Sequence, residues 1–521
     1  MLQRLFHNTV RAFFTCFILL TLLAAVSFRA AGYATLPPEG LFVFILALAA
    51  VFMYVFSRWF RLTANKVFAN SLHFFARRIR LITMIMFACM IAWQLLLIHQ
   101  LAAEVGSDIG SAFAIANYPE GKDVAASYLS IFPNNNFLVF VMYICLKFIR
   151  LFTDRNLWAF LDVINLVAID SALIILALFA KRMFGSRAGY ATLWVGIALI
   201  GFSPWVLIPY TDTLSLPLVS AALLMLSFLL KSSVKNNKQP TLKKIILGLL
   251  LGFFISCAYL LKPSSIVIFF ALGIATAVWC LKPDWAKIKT LVSSALAVIL
   301  SAVIVVGGFS VIEKRHPLYA VVDESKAVPM THFIMMGMTG SGGYNGEDYY
   351  ATIARETKQE KTAFHIAVIK ERLKEYGIPG YTTFLFQKHT NNTADGTFAW
   401  DANGQVFLAQ SDRTGALHEF LDSIIRREGS RAGLYRFFAQ WIWIGVCVLM
   451  LISVRKKGFM MSVLRLGLIG GLLFLLIFEG GRSRYLIQFF PQIILMSGIG
   501  LEIVFRFLRK KYPIEKEIDQ T

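Results

Sequence analysis

The chemically capable residues of this chain stand in short polar stretches at the ends of apolar runs, where an ionisable group is costly and therefore a functional candidate by default. The stretch EVGSDIGSAFAIANYPEGKDVAASYLSIFPNNNF (104–137) carries four acids, of which Glu104, Asp108 and Asp123 are the competing candidates and Glu120 is the fourth, and a turn at Pro133, Asn134 and Asn135. Asp108 is the candidate base. A carboxylate near lipid headgroups, partly dehydrated by apolar neighbours, can take a proton from an alcohol; a solvated loop acid is the competing reading. The late stretch EGGRSRYLIQFFP (479–491) carries Arg482, Arg484 and Tyr485. Two planar guanidinium groups there suit the oxygens of a lipid-linked phosphate, and Tyr485 reads either as part of that site or as an interfacial aromatic. Lys262, in LLKPSS, is a compact third cation for the same charge, with snorkelling toward headgroups as the plain alternative. Asp212, in PYTDTLSLP, is a supporting residue or a helix cap, and Asn134 and Asn135 are further supporting candidates.

Asp162 and Asp170 lie eight residues apart within one apolar run, and hydrogen bonding to neighbouring helices is a better account of them than a proton relay. The eight histidines show no metal-ligand spacing, so no metal is assigned; a divalent ion remains open as chemistry but has no ligand pattern behind it. No cofactor is called for, and neither a Walker loop nor a dinucleotide fingerprint is present.

These residues need elements that hold them at one depth. The chain has 521 residues, of which 57% are hydrophobic and 16% charged, and a mean hydropathy of +0.66. Soluble domains carry about 25% charge, so a soluble enzyme is excluded. Apolar blocks at 12–28, 41–59, 81–101, 157–180, 188–208, 214–230, 245–261, 265–281, 291–312, 437–454, 460–478 and 489–507 match the ~20 residues needed to cross ~30 Å of hydrocarbon. The first block, although preceded by a basic N-terminus, is read as a retained helix rather than a signal peptide.

A further block at 136–152 is ambiguous, and the distribution of the +21 net charge decides it. Counted as a span, it would put the loops with Lys181, Arg182 and Arg187, with Lys231, Lys235, Lys238, Lys243 and Lys244, and with Arg455, Lys456 and Lys457 outside. Laid along the outer interface, it leaves all of them cytoplasmic with 58–80 and the tail Arg509 to Lys511, as the positive-inside rule prefers. The predicted fold is therefore an all-α polytopic membrane protein of about twelve spans, with both termini cytoplasmic. It has a first external loop at 102–155 bearing an interfacial helix and a small, α-rich, soluble extracellular insert at 313–436. These divide the chain into 1–312, 313–436 and 437–521. The charge reads as topology, so nucleic acid is not a predicted partner. The six cysteines all lie in apolar blocks and offer no disulfide framework.

The order of these features resembles the GT-C superfamily of polyprenyl-phosphate-sugar-dependent glycosyltransferases, nearest to relatives of protein O-mannosyltransferases and of the lipid A aminoarabinose transferase in their Gram-positive form. The resembling elements are an Asp in the first external loop, YLSIFPNNN leading into a membrane-surface helix, a late RSRYLIQFFP, and THFIMMGMTGSGGYNGED and DGTFAW within the insert. The resemblance implies Asp108 as catalytic base, with Arg482, Arg484 and Tyr485 at the lipid phosphate and Lys262 and Asp212 as weaker matches. The Asp-Glu pair common in the mannosyltransferases is here Asp108-Ile109. It further implies a polyprenyl-phosphate (undecaprenyl-phosphate) sugar donor, an extracellular glycopolymer such as teichoic acid, another surface polysaccharide or a protein hydroxyl as acceptor, inverting single displacement, and a site on the outer face of the cell membrane. A transporter or flippase of lipid-linked sugars would use the same cations without a base, and a surface binding protein would need far fewer spans.

Overall fold

The computed structural model describes residues 2–27, 38–119, 122–234, 241–280, 285–400, 411 and 413–512. Among them the chain is helical, with no strand. Lipid supplies no hydrogen-bond partners, so a spanning backbone must satisfy its own N–H and C=O groups, and the helix does so within one segment.

The helices run α1 (Leu2–Ser27), α2 (Pro38–Phe56), α3 (Arg58–Arg77), α4 (Ile79–Leu101), α5 (Ser107–Asn117), α6 (Lys122–Ile131), α7 (Asn136–Ile149), α8 (Leu157–Phe184) and α9 (Ser186–Gly196). They continue with α10 (Thr211–Leu214), α11 (Leu216–Val234), α12 (Thr241–Leu261), α13 (Val267–Cys280) and α14 (Trp285–Arg315). Then follow α15 (Met330–Met336), α16 (Gly346–Ile353), α17 (Lys358–Thr393), α18 (Ala416–Ile425), α19 (Ala432–Ser453), α20 (Phe459–Ile477) and α21 (Phe490–Lys511). Ten helices among the described residues are long and apolar enough to cross a bilayer. The apolar α2 occupies an eleventh predicted position. At the twelfth, α9 is extended by a π-helical turn at Ile197–Gly201. The chain is thus an integral membrane protein with many spans.

Small residues let the last span run through the middle of the bundle, as is common where helices pack in lipid. A Cβ added at Gly498 would meet the Thr192 hydroxyl at 2.5 Å, and one at Gly500 would meet the Leu449 carbonyl oxygen at 1.9 Å. Ile493, Ile494, Leu495, Met496 and Ile499 are accordingly buried.

The expected basic loop at 58–80 is instead largely the helix α3, followed directly by α4. It and the turns 184–186 and 453–459 gather at one end of the bundle, where Lys456 lies over Phe184 at 6.0 Å and Arg182 over Phe228 at 3.9 Å. Lys235 and Lys238 fall outside the described residues.

The ambiguous 136–152 block is not a straight continuation of the helix before it. α6 and α7 meet at a bend of 106°. At the start of α7, Asn136 Nδ2 donates to Glu313 Oε1 (3.0 Å) at the far end of α14, and just beyond its C-terminus Arg150 Nη2 donates to Asn117 Oδ1 (2.7 Å) at the end of α5. Both ends of the helix are therefore tied to the end of the bundle opposite the basic turns.

The insert is less free-standing than its polarity suggests. α17 opens with a capping box between Thr357 and Glu360, kinks at Gly377 (φ +56°) just before Pro379, and ends against α1 through a 3.1 Å contact between His389 Nε2 and Thr21 Oγ1. The segment 392–400, whose Asn, Thr, Asp and Gly content predicts a turn-rich stretch over 391–405, is buried throughout. Three indole N–H groups fix its neighbourhood: Trp205 donates to the Thr397 carbonyl (3.2 Å), Trp443 to Thr393 (2.7 Å) and Trp400 to Ile425 (2.9 Å). Residues 401–405, the rest of that predicted turn, lie outside the described residues.

Candidate functional site

Four turns that are far apart in sequence meet at the end of the bundle opposite the basic turns. Asp108 stands in the first turn of α5, where the helix dipole favours a carboxylate; the preceding Ser107 has φ +60°. The Tyr210 hydroxyl donates to Asp108 Oδ2 at 3.3 Å. Tyr128, beside the same carboxylate, accepts from Asn135 Nδ2 at 2.6 Å. Glu104, Asp123 and Asn134 are exposed. Asn134 makes no described hydrogen bond, so of the two candidate asparagines the structure brings Asn135 to the site and leaves Asn134 aside.

Asp212 is not the N-cap of α10, a position that Tyr210 holds. Its buried carboxylate holds two of the predicted cations, Lys262 Nζ at 2.5 Å from Oδ1 and Arg484 Nε at 3.6 Å from Oδ2. Asp212, Lys262 and Arg484 side chains are 2%, 12% and 10% exposed, so the pairing is largely desolvated and breaking it by removing one partner is costly. The Arg484 guanidinium lies 5.6 Å from the Tyr210 ring and 5.2 Å from the Tyr485 ring, and Lys262 lies 5.6 Å from the latter. Tyr210 is the link between the two halves: its ring faces Arg484 while its hydroxyl reaches Asp108. Burial first, then the negative charge of Asp108, pushes the Tyr210 phenol well above its ordinary range, which keeps it a donor.

Tyr210 and Tyr128 escaped the sequence reading, and so did one acid. Glu479 opens the same EGGRSR stretch and accepts from the Tyr485 hydroxyl at 2.8 Å. Burial raises its carboxyl above the usual range, with Tyr485, Arg482 and Arg484 opposing and Asp108 adding to the rise. When Glu479 is protonated, three cations (Lys262, Arg482, Arg484) face two carboxylates (Asp108, Asp212), leaving the cluster net positive. The signal was available, since Glu479 is an acid at a span end like the others.

The insert closes over this cluster through glycines. Gly480 N donates to the Gly342 carbonyl at 2.8 Å, and a Cβ at Gly343 would come within 2.8 Å of the Gly480 carbonyl oxygen. Gly342 and Gly481 both have positive φ (+87° and +71°), a conformation that glycine alone takes at little cost. Asn392 Oδ1 accepts from Gly481 N at 2.6 Å, and the buried Lys388 Nζ reaches the carbonyls of Gly337 (2.5 Å), Phe478 (2.7 Å) and Leu476 (3.1 Å). Tyr344 and Tyr349 of the insert feel the charge of Asp108. Among the described residues no group of three or more His, Cys, Asp or Glu side chains is placed to hold a metal ion. His332 and His365 instead flank the Thr352 hydroxyl at 2.9 and 3.0 Å, and burial lowers both to about 4.

Asp170 Oδ1 accepts from Gln94 Nε2 at 3.0 Å, the interhelical bond expected of it, whereas neither oxygen of the wholly buried Asp162 has a hydrogen-bond partner among the described residues.

The arrangement offers a carboxylate with an apolar and aromatic surround, and beside it a preorganised group of cations. A family model described as "conserved hypothetical integral membrane protein" matches residues 2–503. Comparison with curated proteins and with solved structures finds no match.

Proposed function

The chain belongs to that family of conserved integral membrane proteins, and within it we propose a GT-C-type glycosyltransferase that moves a monosaccharide from a polyprenyl phosphate, such as undecaprenyl phosphate, to a hydroxyl outside the cell membrane. The observation that supports this reading is the convergence of Asp108 with Lys262, Arg482 and Arg484 at one end of the bundle, away from the basic turns. The positive-inside rule puts those basic turns, and with them both termini, in the cytoplasm and the cluster on the outer face.

In this mechanism the donor phosphate rests against Arg484, Arg482 and Lys262 with Tyr485 beside it. The acceptor hydroxyl enters under the glycine-rich segment of the insert. Asp108 takes its proton as the oxygen attacks the anomeric carbon, the bond from that carbon to the phosphate oxygen breaks, and the polyprenyl phosphate leaves with the electron pair. A single displacement inverts the anomeric centre. Negative charge grows on the phosphate as the bond breaks, so cations already oriented by Asp212 stabilise the transition state more than the ground state. A teichoic acid, another cell-wall polysaccharide or a protein hydroxyl fits as acceptor. A flippase would need the cations but not Asp108.

The test is transfer by the purified full-length protein from a labelled polyprenyl-phosphate sugar to cell-surface polymer. Loss of a positioned base typically costs about 10²–10⁴ in rate. Asp108→Asn should therefore lose that factor while donor binding persists. Full turnover by this variant, or movement of uncleaved donor between leaflets by the wild type, refutes the proposal.

A further inference from the structure

A cavity of about 550 Å³ lies at the opposite, basic end of the bundle, where it is lined by α3, α4, α8, α9 and α21. Its floor is apolar, with Leu72, Ile174 and Trp194 among the lining residues, and its cations are Arg80, Lys181, Arg187 and Arg509. No acidic side chain lines it, and no ion pair is recorded for any of the four cations among the described residues. Positive-inside bias accounts for cations in such turns, but not for four of them on one apolar recess.

We propose that this cavity is a binding site for an anionic phospholipid of the adjacent leaflet, its phosphate among the four cations and part of an acyl chain on the apolar floor. The volume falls in the ~300–1,000 Å³ range of pockets that enclose small-molecule ligands. A basic pocket between spans is the form that anionic headgroup recognition takes in membrane proteins. Lysine and arginine both suit the occupant, since Arg187, Arg80 and Arg509 can grip phosphate oxygens bidentately while Lys181 contributes a compact charge. The chain length on the apolar floor separates this ligand from a free phosphate ester, which would gain nothing from Leu72, Ile174 or Trp194. The site is independent of the glycosyl-transfer proposal.

The experiment titrates the full chain in neutral detergent with dioleoyl-phosphatidylglycerol, with dioleoyl-phosphatidylcholine and with glycerol phosphate, reading bound lipid by native mass spectrometry and melting temperature. Phosphatidylglycerol should bind and raise the melting temperature while the other two do not. At about 1 kcal/mol for each basic residue, Arg187→Gln with Arg509→Gln should weaken binding about thirtyfold, and Arg455→Gln, on the same end but outside the cavity, should leave it unchanged. Equal binding of the neutral lipid, equal binding of glycerol phosphate, or an equal loss in Arg455→Gln overturns the proposal. In wild type, a phosphatidylglycerol with a photoactivatable chain should crosslink within the cavity lining, at 72–80, 174–194 or 505–509. Crosslinks confined to other segments overturn it as well, whatever the double variant does.

Discussion

Replacing Asp212 with Asn tests whether the cation group is held by one buried carboxylate. At an effective dielectric of ~20 the gross attraction of Asp212 for Lys262 at 2.5 Å is about 6–7 kcal/mol, and for Arg484 at 3.6 Å about 4–5 kcal/mol. Desolvation of three ions offsets most of this, so the net value of the triad is small. Removing Asp212 is different, because the largely buried Lys262 then loses its carboxylate partner and Arg484 keeps only the more distant charge of Asp108 and its other contacts, at about 3–5 kcal/mol. Asp212→Asn should therefore lower the stability of the detergent-solubilised protein by that amount in equilibrium unfolding. Lys262→Met in the same background should cost less than it does alone, with a coupling of about 1–3 kcal/mol, because the cation it removes no longer has a partner. Added polyprenyl phosphate should restore part of the lost stability, its phosphate replacing the missing carboxylate. A variant within about 1 kcal/mol of wild type, or strictly additive double-variant costs, would refute the account of Asp212 as the hub.

Three further outcomes follow from particular contacts. Asp162 has no hydrogen-bond partner while fully buried, so Asp162→Leu should be neutral or stabilising; a melting-temperature loss of several degrees would mean that the carboxylate is engaged. Lys388→Met leaves three carbonyl oxygens between the insert and the 476–478 turn without their donor and should cost about 3 kcal/mol. Burial brings Lys388 down to about 8, against an unfolded value near 10.4. The unfolded chain therefore holds more protons between those values, so this residue's contribution to stability rises with pH from about 8 to about 10.5 and is flat below. Unfolding measured from pH 7 to 10.5 should show that slope in wild type and not in Lys388→Met, and equal slopes refute it. Under the proposed function, Tyr210→Phe removes one neutral donor to Asp108 worth about 1 kcal/mol and should slow turnover about fivefold with donor KM unchanged; a change in KM alone would contradict its place beside the base.

Much of the architecture was written in one dimension. Spans are legible because crossing hydrocarbon demands about twenty consecutive apolar residues, and the basic turns are legible because Lys and Arg mark one side. The same rule placed 136–152 at the interface, and α7 is tied at both ends to neighbouring segments, by Asn136 to Glu313 and by Arg150 to Asn117. The insert was less legible. NNTADGTFAW has the composition of a solvated turn, yet Asn392, Asp395, Phe398 and Trp400 are buried because the ends of α1, α19 and α21 cover them. Composition reports the average preference of a residue, not the neighbours it will find. The site divides in the same way. Asp108, Lys262, Arg482 and Arg484 stood out as charges at span ends, but Glu479 and Tyr210 matter through what they touch.

The sequence by itself determined that this chain lives in lipid, which ends of its spans share a side, and which ionisable residues are too costly there to be incidental. These follow from transfer free energies, which act residue by residue along the chain. Only the tertiary structure decided that Asp212 holds Lys262 and Arg484, that Tyr210 joins them to Asp108, and that the glycines at 342–343 and 480–481 bring the insert down upon the cluster. Those depend on distances of a few ångströms between residues as much as 376 positions apart, from Asp108 to Arg484, and the packing of the helices sets them.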